Sequence, residues 1–232
     1  QHFLAVSGRK VLCSTYGESI MKNVHEITEM ALKAGSNSLS VFGGRFEGGY
    51  QLQQDIQEVS ECLAFVSSRK NTVMNYLEIG VAAAGFTRLF CDVINVKNAF
   101  LMDLGTHPSI PAAYQENIKN LRLSGKMSAF TGDSHSPEAE EWLEKTGTKF
   151  DFIFIDGDHS YSGVLQDTLL AMKFASKRAM FMFHDHACVG DIGRLYNEMK
   201  NRSIPGFVPI REFVSNSNTK KGIVLLEYIG RA

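Results

Sequence analysis

A chain of 232 residues, 25.8 kDa, with 44% hydrophobic and 21% charged residues has the size and composition of one globular domain, or one domain with an appendage, and not of a disordered chain. Its 24 Lys and Arg against 25 Asp and Glu leave a net charge of −1, which provides no electrostatic footprint for DNA, RNA or an anionic membrane. No apolar run reaches the ~18 residues of a membrane span, and Cys13, Cys62, Cys91 and Cys188 form neither a disulfide framework nor a zinc pair, so a small-molecule partner in the reducing cytoplasm is expected.

The first periodic stretch places Ile20, Val24, Ile27 and Ala31 on one helical face, with Gly35 as its stop. A second, Leu52, Ile56, Val59, Leu63 and Val66, repeats the spacing after a Gly- and Ser-rich loop over Ser36–Tyr50. Residues 1–70 therefore read as an N-terminal helical cap, covering one side of a larger core or serving as a lid or a surface for homo-oligomerisation.

From Asn71 the pattern changes. Short apolar runs at Val73–Ile79, Ala99–Met102, Met127–Phe130, Phe152–Ile155 and Ala179–Phe183 alternate with helical segments, the clearest holding Phe86, Leu89, Phe90, Val93 and Ile94 on one face. Continuous apolar strands separated by helices predict a parallel sheet covered on both faces. Phe207–Val214 and Ile223–Ile229 are separated only by Ser215–Gly222, too short for a crossover helix, so they should form an antiparallel hairpin. Residues 71–232 are thus expected to be a Rossmann-like α/β domain with a seven-stranded, mostly parallel sheet and a terminal antiparallel hairpin.

Ligands of open α/β sheets bind beyond the carboxyl ends of the strands, so the residues released there carry the functional reading. The first strand ends Glu78-Ile-Gly80, with Gly85 closing a small-residue loop. This is either a tight strand-to-helix turn or a cradle in which Glu78 would repel a pyrophosphate but accept a cationic amino group. Asp103 ends the second strand, where an acid suits the hydroxyls of a ribose, though a loop or capping Asp looks the same. Asp133 and Ser134 follow the third strand, placed to meet an exocyclic amine or merely to lead into the helix begun by Ser136-Pro137.

The fourth strand releases Asp156-Gly-Asp158-His159, and the fifth releases His184-Asp185-His186. Acids and imidazoles directly after apolar strands are costly unless they face a cleft. If the two strands are neighbours, Asp156, His159 and Asp185 converge; carboxylates with imidazole suit a divalent cation, and an imidazole left over can act as a base.

With these strings in place, the chain resembles a class I S-adenosylmethionine-dependent methyltransferase over about Asn71 to Ile229, within it the branch containing macrocin O-methyltransferase and the cephalosporin-biosynthesis proteins. The resemblance implies S-adenosylmethionine as cofactor, held by Glu78, Gly80, Gly85, Asp103, Asp133, Ser134 and Asp156, and transfer of its methyl group to a small-molecule hydroxyl. It implies His159 as base with Asp156 and Asp185, and a divalent ion, Mg²⁺ or Mn²⁺, on Asp156, Asp185 and His184. Three features depart from the family pattern: Ala82 and Ala84 stand where glycines are usual, Ser176-Lys-Arg178 replaces a Pro-Gly-Gly turn, and His184 replaces a carboxylate or amide ligand, which favours softer ions. The alanines are tolerable if their backbone is not left-handed. The competing readings are an NAD-type Rossmann oxidoreductase, disfavoured by the hairpin and by the lack of G-x-G-x-x-G, and a cofactor-binding protein without turnover.

Overall fold

The computed structural model describes residues 22–33, 52–106, 110–218 and 220–230. Ile20, Gly35 and the Ser36–Tyr50 loop lie outside the described residues. The N-terminal part contributes α1 (Val24–Lys33) and α2 (Ile56–Arg69). Leu52 is buried as its periodicity implies, but it precedes the helix. The start is set instead by Asp55, whose extended backbone and side chain cap the first turn by accepting from the Gln57 and Glu58 N–H groups.

The rest alternates as β1 (Thr72–Ile79), α3 (Gly85–Val93), β2 (Asn95–Asp103), α4 (Ile110–Lys119), β3 (Met127–Thr131), α5 (Pro137–Thr146), β4 (Phe150–Ile155), α6 (Tyr161–Phe174), β5 (Ala175–Phe183) and α7 (Gly190–Lys200). It closes with β6 (Phe207–Phe213) and β7 (Ile223–Tyr228). The seven strands lie in the order β3-β2-β1-β4-β5-β7-β6, with β1 to β5 parallel and β7 antiparallel to both β5 and β6. Strand order reverses between β1 and β4, which makes their carboxyl ends the switch point.

Alternation along the strands splits the core. Tyr76, Phe152 and Phe154 face α1, α2 and α3, where Tyr76 stacks on Phe90 at 4.6 Å and Leu63 and Val66 complete the packing. Leu77, Ile79, Ile153 and Ile155 face α5, α6 and α7. Each such side chain removed from water contributes roughly 1.5–3 kcal/mol. The helices α1 and α2 share their apolar cluster with β1, β2 and β4.

No turn separates α6 from β5: Ser176-Lys-Arg178 lies inside the strand, as an irregularity without proline or glycine. Arg178 takes φ +65° while the β4–β5 register jumps from Phe150–Ala175 to Phe152–Met180, and its Nε holds Glu227 on β7 at 2.7 Å.

Candidate active site

Gly80 fixes the centre of the cleft. It has φ +87°, and a Cβ there would lie 2.2 Å from the backbone oxygen of Asp156, so β1 and β4 can approach this closely only at glycine. The loop that follows departs from expectation. Ala82 and Ala84 are both left-handed, at φ 47° and 59°, so the alanines are strained positions. Ala84 caps α3 without a side-chain hydrogen bond, which leaves backbone N–H groups of the first turn to the cleft.

Glu78 is 1% exposed and lies on the face of β1 that carries Tyr76. Its Oε2 accepts from the Tyr76 hydroxyl at 2.7 Å and from Thr87 Oγ1 at 2.6 Å. Burial raises its pKa to about 8; the two hydroxyls oppose that rise without cancelling it. Asp103 is drawn into the same loop: Oδ2 accepts from Val81 N and Ala82 N, each at 2.8 Å, and Oδ1 accepts from Gly105 N at 2.7 Å. A carboxylate has about four acceptor positions, so roughly one remains for a ribose hydroxyl. Asp103 is therefore a loop anchor as well as a ligand candidate.

At β3 the two polar residues divide. Asp133 is 61% exposed and uses Oδ1 to accept from His135 N at 2.9 Å. Ser134 donates its proton to Asp167 Oδ1 at 2.7 Å, so it can offer a ligand only lone pairs. Asp167, on α6, is fully buried, and His135 Nε2 lies 3.1 Å from the same oxygen.

The ends of β4 and β5 come together as their pairing requires. Asp156 Oδ1 is 3.3 Å from His159 Nε2 and 3.2 Å from His184 Nδ1, while Oδ2 accepts from Gln54 Nε2 at 3.0 Å. Asp185 Oδ2 is 3.6 Å from His159 Nδ1, and Oδ1 is 3.5 Å from His184 Nδ1. Burial would push the Asp156 carboxyl up, but the His184 and His159 imidazoles hold it well below the usual carboxylate range. The hydrogen bond to Asp156 raises the pKa of His159 against its burial. His184 is 2% exposed; burial lowers its pKa, but Asp156 and Asp185 win and raise it. Asp185 itself is left-handed, φ 61°, and accepts from the Cys188 thiol at 3.3 Å. His186 turns away from this cluster and packs on Tyr196, ring centroids 5.5 Å apart.

One donor atom each from Asp156, His184 and Asp185 lies within 4.8 Å of the others. Two carboxylates and an imidazole fit a divalent cation of the Mg²⁺ to Zn²⁺ range. Acids at the ends of β1, β2 and β3 suit the ammonium, ribose and exocyclic amine of S-adenosylmethionine.

Sequence reading missed the wall that closes the cleft. Gln54 is 4% exposed and reaches Asp156 from the segment before α2. Glu58, 1% exposed, accepts from Ser215 N, Lys221 N and Gly222 N, while Asp55 accepts from Ser217 Oγ and Lys221 Nζ donates to Gln53 O. Asn117 is fully buried and donates to Ala83 O at 2.6 Å, bracing the Gly80–Gly85 loop. The available signal was a polar cluster, Gln53-Gln-Asp-Ile-Gln-Glu58, inside an apolar periodicity.

Residues 77–186 match the family model described as "Methyltransferase domain". The chain is 26% identical over 118 residues to the "Uncharacterized protein R132" of Acanthamoeba polyphaga mimivirus, 49% of this chain and 52% of that one, so the match spans about half the length of that curated relative. Among solved structures it is similar to the O-methyltransferase from Bacillus cereus in complex with SAH, at TM-score 0.56 and 16% identity, over 88% of this chain and 90% of that one. The O-methyltransferase TomG from Streptomyces achromogenes, in complex with SAM, gives 0.59 and 12% over 78% and 83%. An rRNA methylase from Streptococcus thermophilus gives 0.53 and 9% over 75% and 97%. At these identities what the chain shares with them is the Rossmann-like methyltransferase fold. The family match runs from Leu77 at the end of β1 to His186 beyond β5, and so takes in every strand-end residue of the cleft from Glu78 to Asp185.

Proposed function

We propose that the chain transfers the methyl group of S-adenosylmethionine to a hydroxyl of a small molecule, as in the macrocin O-methyltransferase branch. The observation that carries this reading is the four-residue cluster of Asp156, His159, His184 and Asp185 one peptide away from the Gly80 loop. The loop and the strand-end acids bind and orient the cofactor. His159, 40% exposed, is the one member of the cluster that reaches toward solvent and hence toward an acceptor, and it takes the hydroxyl proton as the methyl arrives. Asp156 orients that imidazole, and Gln54 orients Asp156. A divalent ion, held by Asp156, Asp185 and His184 when bound, would supply acidification of the acceptor hydroxyl.

A ligand that binds only the folded state at a hundred times its Kd adds about 2.7 kcal/mol, or roughly 5–10 °C in Tm for a chain of this size. S-adenosylmethionine and S-adenosylhomocysteine should each produce such a shift and NAD should not. With an acceptor found by screening hydroxyl compounds, His159→Ala should slow single-turnover transfer about 10²–10⁴-fold while leaving the cofactor shift intact. Stabilisation by NAD alone would remove the reading, and an undiminished His159→Ala rate would move the base elsewhere.

A further inference from the structure

His159 does not lie beside the two acids; it lies between them. Its Nε2 is 3.3 Å from Asp156 Oδ1 and its Nδ1 is 3.6 Å from Asp185 Oδ2. Each carboxylate oxygen of the pair thereby has a protein polar group within reach: Gln54 at Asp156 Oδ2, His184 and His159 at Asp156 Oδ1, His184 and Cys188 at Asp185 Oδ1, and His159 alone at Asp185 Oδ2. The donors differ in freedom. His184 is 2% exposed, whereas the His159 side chain is 40% exposed, on the loop between β4 and α6. Of the two imidazoles, only His159 can leave by rotating toward solvent.

From this geometry we infer that His159 is a displaceable bridge, holding Asp156 and Asp185 together until a divalent cation takes its place and frees the imidazole. The inference rests on the reading of Asp156, Asp185 and His184 as a metal site. It accounts for a conflict within that reading. A base must point a ring nitrogen at the acceptor, yet here both nitrogens face carboxylates. Occupancy of the acids by a cation resolves it, because the ion that acidifies the acceptor also turns the imidazole loose beside it. The cation and the imidazole then compete for the same oxygens, and removing the imidazole must strengthen metal binding.

The test is Mn²⁺ binding at one fixed pH, read from the loss of the free aqueous Mn²⁺ EPR signal, for the wild type, His159→Ala and Asp185→Asn. Asn tolerates the left-handed backbone at that position, so the control keeps the fold. Losing one charge-assisted contact to each acid should tighten Mn²⁺ binding by His159→Ala about tenfold or more, and Asp185→Asn should weaken it. Equal or weaker binding by His159→Ala overturns the displacement while leaving the metal site standing. Absence of binding at millimolar Mn²⁺ in the wild type and in His159→Ala alike overturns both. A crystal soaked in Mn²⁺ gives an independent readout: His159 turned out from between the acids supports the inference, and an ion with either ring nitrogen in contact refutes it.

Discussion

Replacing Glu78 with Gln should flatten the pH dependence of this fold's stability. Glu78 is 1% exposed, and among the described residues its carboxyl has hydroxyl partners only, Tyr76 at 2.7 Å and Thr87 at 2.6 Å. Burial therefore dominates and lifts its pKa from 4.5 to about 8. The folded chain holds this proton across a window in which the unfolded chain has lost it. Stability from this group is fully present below about 4.5 and falls away as the pH rises through about 8. At about 1.4 kcal/mol for each tenfold change, the loss amounts to about 4–5 kcal/mol. Gln keeps an oxygen that accepts from both hydroxyls but cannot ionise, so the variant should lack that component. Urea unfolding of both proteins at pH 5, 6, 7 and 8 measures it, since every other titrating group cancels in the difference. Parallel pH profiles for the two proteins would refute the reasoning.

Two further outcomes concern the scaffold of the cleft. Ala82→Gly and Ala84→Gly relieve left-handed alanines at φ 47° and 59°; after the entropy of added glycine each should gain about 0.5–1 kcal/mol, a Tm rise of about 1–4 °C by calorimetry, and a fall in Tm for both would mean that the loop is not strained. Glu58→Ala leaves the buried N–H groups of Ser215 and Gly222 and the half-buried one of Lys221 without their carboxylate. It should cost about 3 kcal/mol or more in urea unfolding, and a loss below about 1 kcal/mol would show that solvent replaces the clamp.

How far the sequence revealed this arrangement depends on how far apart the partners lie along the chain. Strand runs, their parallel pairing and the final hairpin follow from periodicity and connection length, which are local properties. The strand-end polar residues were legible for the same reason: Asp156 and His159 are three residues apart, and β4 and β5 are neighbours in a parallel sheet. The dihedrals of Ala82 and Ala84 were not, because a small side chain gives no sign of the backbone that it occupies. Nor was the double duty of Asp103, whose loop N–H partners lie 21 and 22 residues away. The contacts of Gln54 with Asp156 and of Glu58 with the β6–β7 loop span 102 and 157 to 164 residues. No spacing rule reaches that far, and only the packing of α2 on the sheet brings them together.

The electrostatics of the cleft turn on which partners a buried acid meets. Glu78 and Asp156 end adjacent parallel strands and both lose water, so desolvation pushes both carboxyls up. Glu78 meets hydroxyls, which donate a hydrogen bond but bring no charge, and desolvation wins. Asp156 meets two imidazoles whose own pKa values its charge raises, and attraction wins. At neutral pH the cleft therefore presents an ionised Asp156 and a mostly protonated Glu78, although sequence shows two equivalent acids. A cation brought to the switch point meets its counter-charge at Asp156, and one that comes to rest against Glu78 must first expel a proton. On the proposed cofactor assignment, S-adenosylhomocysteine carries such an ammonium. Its binding at pH 7 should then release close to one proton, seen by titration calorimetry as a heat that varies with the ionisation enthalpy of the buffer. Glu78→Gln should abolish the release, and a buffer-independent heat in the wild type would place the ammonium away from Glu78.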